Sequence, residues 1–165
     1  MSTTHDQFLS ANEAHQEAFS GRGLAAPPSR RVAVLTCMDA RVDIYRALGL
    51  QIGEAHVIRN AGGVLTDDAI RSLTLSQRKL GTTEIAVIQH TDCGLENLDN
   101  EAVLAELEAA TGSRPPWPIG GFSDVRNSVR ASVAALRSDP HLIHVDAVNG
   151  YVYHVETGRL EPVGT

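Results

Sequence analysis

The sequence predicts an α/β protein with a mainly parallel central sheet covered by helices, an antiparallel edge strand from a C-terminal hairpin, and an N-terminal arm. Three observations carry that expectation. Short, mostly apolar runs at residues 31–36, 55–58, 84–89 and 141–148 alternate with segments of helical periodicity. Such runs suit strands buried on both faces of a parallel sheet. Asn149-Gly150 between apolar stretches reads as a two-residue hairpin turn, after which Tyr151 to Glu156 returns antiparallel.

Each element follows from local chemistry. Ser10 to Ser20 can form a short helix, stopped by Gly21-Arg22-Gly23, and Pro27-Pro28 stiffens the lead into the body. Residues 1–29 are therefore an arm and linker, and residues 30–165 the domain proper. Residues 41–48 suggest a helix closed by Gly49. Thr66 caps a longer helix whose first acids, Asp67 and Asp68, suit the positive end of the helix dipole. Ile70, Leu73, Gln77 and Leu80 then recur at helical spacing until Gly81. Residues 99–110 read as a helix, followed by the Pro-rich loop Arg114 to Pro118. Val125, Val129, Val133 and Leu136 form a further helical stripe.

Size and charge exclude several functions. A chain of 165 residues supports one full hydrophobic core. A net charge of −6 argues against nucleic acid or an anionic membrane as partner. No stretch is long and apolar enough to cross a bilayer, and the polar first thirty residues lack the apolar core of an export signal. Two cysteines make a poor disulfide framework. They fit a reducing cytoplasm, with thiolates used for metal or catalysis.

Open α/β sheets bind ligands beyond the carboxyl ends of their strands. The first strand ends Thr36-Cys37-Met38-Asp39-Ala40-Arg41, and the third ends Gln89-His90-Thr91-Asp92-Cys93-Gly94. If those strands are neighbours, Cys37, His90 and Cys93 converge. Two thiolates and an imidazole suit zinc, with a fourth position left for water or a carboxylate. Cys37, Asp39 and Arg41 alternate, so an extended segment puts all three on one side. Gly94 lets backbone come close to whatever binds there. Asp92 reads as a cap for the following helix, and Trp117 as packing.

Cys37-x-Asp39-x-Arg41 followed by His90-x-x-Cys93-Gly94 resembles the signature of β-class carbonic anhydrases. Arg59-Asn60-Ala61-Gly62 is similar to that family's glycine loop. The resemblance runs from about Arg30 to Tyr153, and the size suits the compact prokaryotic branch. Where the plant type has a glutamine nine residues before the first cysteine, this chain has Pro28. The resemblance implies zinc held by Cys37, His90 and Cys93, with Asp39 and Arg41 as a dyad that gates reversible hydration of carbon dioxide to bicarbonate by metal-bound hydroxide. Asp39 would fill the fourth metal position only in a closed state. Backbone N–H groups at Gly62 and Gly94 are candidates to hold substrate. The resemblance also implies a homodimer or homotetramer, with arms wrapping partner subunits. Two alternatives stay open: hydrolysis of carbonyl sulfide or carbon disulfide at the same site, and a non-catalytic zinc or redox module.

Overall fold

A computed structural model describes residues 3–164. Five strands form one sheet: β1 (Val32–Cys37), β2 (Ala55–Asn60), β3 (Glu84–His90), β4 (Val148–Tyr153) and β5 (Leu160–Val163). Their order is β2-β1-β3-β4-β5. The pairs β1–β2, β1–β3 and β3–β4 are parallel, and β4–β5 is antiparallel. The predicted fold class therefore holds, antiparallel edge included.

Five helices connect and flank the strands: α1 (Thr4–Glu17), α2 (Ile44–Leu48), α3 (Asp67–Leu80), α4 (Asn100–Thr111) and α5 (Val125–Arg137). The main core lies between one sheet face and helices α3 and α5. It joins Ala33, Ile85, Val87, Val148 and Val152 from the strands to Leu73, Val129, Val133 and Leu136. The opposite face holds a smaller cluster of Val34, Val42, Ile44 and Ile88, covered by short α2. Each long helix starts on a side-chain cap: Thr66 for α3, Asp99 for α4 and Asp124 for α5. Left-handed glycines, Gly81 and Gly112, close α3 and α4. No helix among the described residues is long and apolar enough to cross a membrane.

Two elements differ most from the sequence reading. The arm helix starts six residues before Ser10, because Thr3 and Asp6 form a reciprocal capping box. None of its residues is buried. The fourth strand is not 141–148, and Asn149-Gly150 is not a turn. Both residues lie inside β4, whose burial alternates with period two. Gly150 is a glycine because α5 lies flush against it: a Cβ there would come within 2.4 Å of Val129 Cγ1 and 3.1 Å of Val133 Cγ2. The actual hairpin turn spans 154–159 and is closed by His154 N–H donating to the Arg159 carbonyl at 2.9 Å.

That hairpin is tied to α5 by Glu161. Its carboxylate accepts from Arg126 Nε at 2.9 Å and from Arg159 Nη2 at 2.8 Å, and His154 Nε2 lies 2.8 Å away. The Arg126 hydrogen bond, then that of His154, holds the carboxyl down at about 2 against an ordinary 4.5.

Two outcomes follow from this packing. Gly150→Val should destabilise the chain by about 1–3 kcal/mol through overpacking against α5, read from urea denaturation; a parent-like midpoint would show that α5 can move away freely. Because the folded carboxyl of Glu161 is depressed, its contribution is complete above pH 4.5 and disappears as pH falls towards 2. Glu161→Gln should therefore lower the melting temperature near neutral pH, and the gap to the parent should close through that acid window.

Candidate metal centre

β1 and β3 pair in parallel, with Thr36 registered on Ile88. Cys37 and Gln89 are the next residues of each strand, and His90 is the last of β3. The two strand ends therefore stand side by side, and Cys93 is returned to them by a turn. Asp92 permits that turn by adopting a left-handed conformation, φ +57°. The sulfurs of Cys37 and Cys93 and a ring nitrogen of His90 all lie within 4.8 Å of one another, and all three residues are buried. Neither cysteine forms a disulfide.

The trio fits a metal ion on the chemistry of its donors. His90 Nδ1 lies 2.9 Å from the Thr91 carbonyl, so that nitrogen carries the proton and donates. The lone pair is then on Nε2. That atom is buried and has no hydrogen-bond partner among the described residues. A buried imidazole lone pair facing two thiols, with its other nitrogen held by a carbonyl, is the usual arrangement of a histidine ligand.

Backbone donors surround the sulfurs. Burial pushes the Cys37 thiol up, but His90 and the N–H groups of Asp39 and Gly62 together bring it down to about 7. Cys93 is raised by burial and by the neighbouring Cys37, against one N–H from Leu95. Cys37 is thus the readier thiolate of the two.

The loop after β2 builds the wall beside Cys37. Arg59 Nε donates to the Cys37 carbonyl at 2.9 Å, and Arg59 Nη2 to the Asp39 carbonyl at 2.8 Å. Asn60 Nδ2 donates to the Val64 carbonyl at 2.8 Å. Gly62 and Gly63 both have positive φ. Gly63 could not carry a side chain: a Cβ would lie 2.8 Å from the Cys37 nitrogen. Val64 and Leu95 pack over Gly62. Gly94 has open space where a Cβ would stand.

Asp39 and Arg41 sit at the mouth. Arg41 Nε donates to Asp39 Oδ1 at 3.1 Å and Nη2 to Oδ2 at 2.8 Å, a two-point pair. The Arg41 backbone N–H adds a third bond to Oδ1 at 2.8 Å. These bonds hold the Asp39 carboxyl far below the usual carboxylate range. Asp39 Oδ2 stands 3.7 Å from His90 Nε2, beside the trio but outside hydrogen-bond reach.

Asp92 is a partner that the sequence reading missed. It does not cap a helix, since Asp99 caps α4. Its carboxylate accepts from Arg41 Nη1 at 2.6 Å and its carbonyl from Nη2 at 2.8 Å. Arg41 is thereby held between two acids. An acid lying between two ligands was the available signal. Trp117 is likewise not core packing: it is 55% exposed and lines a cavity of about 400 Å³ with Val64, Leu65 and Thr66. Pro28 is buried in the linker, and its carbonyl accepts from the Arg31 N–H.

Comparison with known proteins agrees with this geometry. The family model described as carbonic anhydrase matches residues 32–112. β-Carbonic anhydrase 1 of Mycobacterium tuberculosis is 43% identical over 161 residues, covering 98% of each chain. A crystal structure of carbonic anhydrase from Streptococcus mutans superposes with a TM-score of 0.92 at 38% identity, covering 99% of each chain. A carbon disulfide hydrolase of Acidithiobacillus thiooxidans is 35% identical over 177 residues, covering 94% of this chain and 88% of its own. With a buried Cys-His-Cys centre at two adjoining strand ends and this similarity along its whole length, the chain belongs to the β-carbonic anhydrase family.

Proposed function

We propose that this chain catalyses the reversible hydration of carbon dioxide to bicarbonate and a proton, with zinc as its metal. The observation that carries the reading is the buried trio of Cys37, His90 and Cys93 beside an Asp39 locked to Arg41. Those three residues would hold the ion, and two thiolates with one neutral imidazole are a donor set that zinc favours. Bound zinc supplies the Lewis acidity that makes hydroxide available near neutral pH.

Asp39 accepts a hydrogen bond from the attacking water and so aims its lone pair at the carbon. Arg41 fixes that carboxylate by two-point contact and would hold it away from the metal. Gly94, where the backbone is open, is one main-chain candidate for a substrate oxygen. Gly62, in the turn beside Cys37, is the other candidate.

A second reading, hydrolysis of carbon disulfide or carbonyl sulfide at the same centre, is favoured by the Acidithiobacillus relative. Carbon dioxide is preferred because the mycobacterial relative covers 98% of both chains, whereas a carbon disulfide hydrolase of Saccharolobus solfataricus, 45% identical, covers 93% of this chain and 88% of its own. Residues 1–29 we read as an arm for a second copy in a dimer or tetramer, and residues 30–165 as the catalytic domain. Helix α1 buries none of its residues, although Phe8 and Leu9 are more than 60% exposed on it. Free, buried cysteines fit work in a reducing cytoplasm.

The test is stopped-flow hydration of carbon dioxide by protein of known zinc content, with sulfide release from carbon disulfide and carbonyl sulfide followed in parallel. One zinc per chain and rapid hydration are expected. Cys93→Ser should lose both, and full zinc occupancy in that variant would remove it from the ligand set. Arg41→Ala should keep its zinc and hydrate about 10–100-fold more slowly from neutral to alkaline pH, the scale of losses when a supporting partner is removed. Parent-like rates across that range would overturn the role given to the dyad.

A further inference from the structure

We propose that Asp92 is a positioning residue for the Asp39–Arg41 dyad, tying the Arg41 guanidinium to the turn that carries His90 and Cys93. The proposal rests on the metal reading above and adds a residue outside the three ligands and the dyad.

By itself the dyad is local. Asp39 and Arg41 are two positions apart, and the Arg41 backbone N–H shares in their bonding. Such a pair is fixed relative to the end of β1, and so to Cys37. The other two metal residues stand elsewhere, at the end of β3 and in the turn after it. Placing the Asp39 carboxylate relative to all three takes a bond between the two segments. Asp92 supplies it twice over: its carboxylate accepts from Arg41 Nη1 at 2.6 Å and its carbonyl from Nη2 at 2.8 Å.

The backbone makes this double grip. Asp92 has φ +57°, a left-handed conformation that Asp enters more readily than most residues. Its side chain and its carbonyl both reach the same guanidinium. Nη2 is then shared between Asp39 Oδ2 and the Asp92 carbonyl, while Nε bonds Asp39 and Nη1 bonds Asp92. A guanidinium is a planar, rigid fork, so holding one edge fixes where the other edge points. The tolerance is small. Asp39 Oδ2 stands 3.7 Å from His90 Nε2, the atom whose lone pair faces the thiols. Without the Asp92 tie, Arg41 and Asp39 can swing together, and the carboxylate is free to reach the metal position. The Asp92 side chain is 76% exposed, so the tie adds little to folding stability and acts on geometry.

The test uses the full chain loaded with cobalt(II), with azide as the probe of the open metal position and visible absorption as the readout. Asp92→Gly keeps the left-handed backbone and its carbonyl but removes the carboxylate. Asp92→Asn removes the charge and keeps an acceptor oxygen. By charge alone, losing an acid beside the centre would tighten azide binding in both variants. The positioning role gives another pattern. Azide should bind about tenfold more weakly to Asp92→Gly and at least as tightly as the parent to Asp92→Asn, with parent-like metal content and melting temperature in both. In the zinc form, carbon dioxide hydration by Asp92→Gly should fall about tenfold in kcat with KM unchanged. That loss should vanish in the Arg41→Ala background, where there is no guanidinium to place. Undiminished azide affinity in Asp92→Gly, or an equal further loss of rate in the Arg41→Ala background, would overturn the proposal and leave the metal site intact. Weaker azide binding by Asp92→Gly, in a parent that does not hydrate carbon dioxide, would support the proposal and overturn the proposed reaction. A parent that takes up no cobalt overturns both.

Discussion

The register of β1 on β3 is the constraint on which the rest of this site depends. Side chains alternate along a strand, so a slip of one residue would turn Cys37 to the other face. Hydrophobic patterning prevents that slip. Ala33, Ile85 and Val87 belong to the core under α5, and Val34 and Ile88 to the cluster under α2. The same apolar burial that stabilises the sheet therefore aligns a sulfur with an imidazole at its carboxyl edge. Nothing near the metal residues has to specify the alignment, which leaves the loops beyond them free to supply chemistry.

Those loops supply it in two layers. In the inner layer, the backbone N–H groups of Asp39, Gly62 and Leu95 favour the thiolate forms of the two cysteines. Outside them, Arg41 is shared by Asp39 and Asp92. The two layers differ in strength. The Arg41–Asp92 pair is largely exposed, and exposed ion pairs contribute little to stability. Its value lies in geometry: the guanidinium offers one edge to Asp39 because its other nitrogens are occupied. The inner layer is shielded from water, where each hydrogen bond acts on a nearby charge more strongly.

Much of this was legible in the sequence because it is local or periodic. Apolar runs, glycine stops and the Thr66 cap placed most elements within a few residues. The Cys37 and His90–Cys93 motifs named the metal residues, since they fall where parallel strands end. What escaped was non-local. Asn149-Gly150 carries the chemistry of a tight turn, yet its glycine answers to the side chains of α5, which no window around residue 150 contains. Asp92 has the residue type of a helix cap, but its partner lies 51 positions away. Gln89 looked like the polar end of a strand until the glycine turn was seen to fold onto it.

The buried polar groups of this molecule fall into two kinds, bonded and orphaned. Across the sheet from the metal centre, His56, Ser76 and Thr82 form a chain in which Ser76 bonds to both neighbours. That chain binds α3 to the sheet and leaves its buried hydroxyls satisfied. The carboxyl edge is different. Among the described residues, Thr74 Oγ1 and Gln77 Nε2 of α3 are buried without hydrogen-bond partners, and so are Asn60 Oδ1, Gln89 Oε1 and His90 Nε2 at the ends of β2 and β3. Native folds leave few such atoms, because each forfeits its solvation. Three of the five lie together at the carboxyl edge of the sheet. For His90 the reason is chemical, since a lone pair occupied by a donor could not bind a metal. For Gln89 and Asn60 the orphaned oxygens are the reverse side of amides whose nitrogens are held by the glycine turn. The same turn thus explains two of the three.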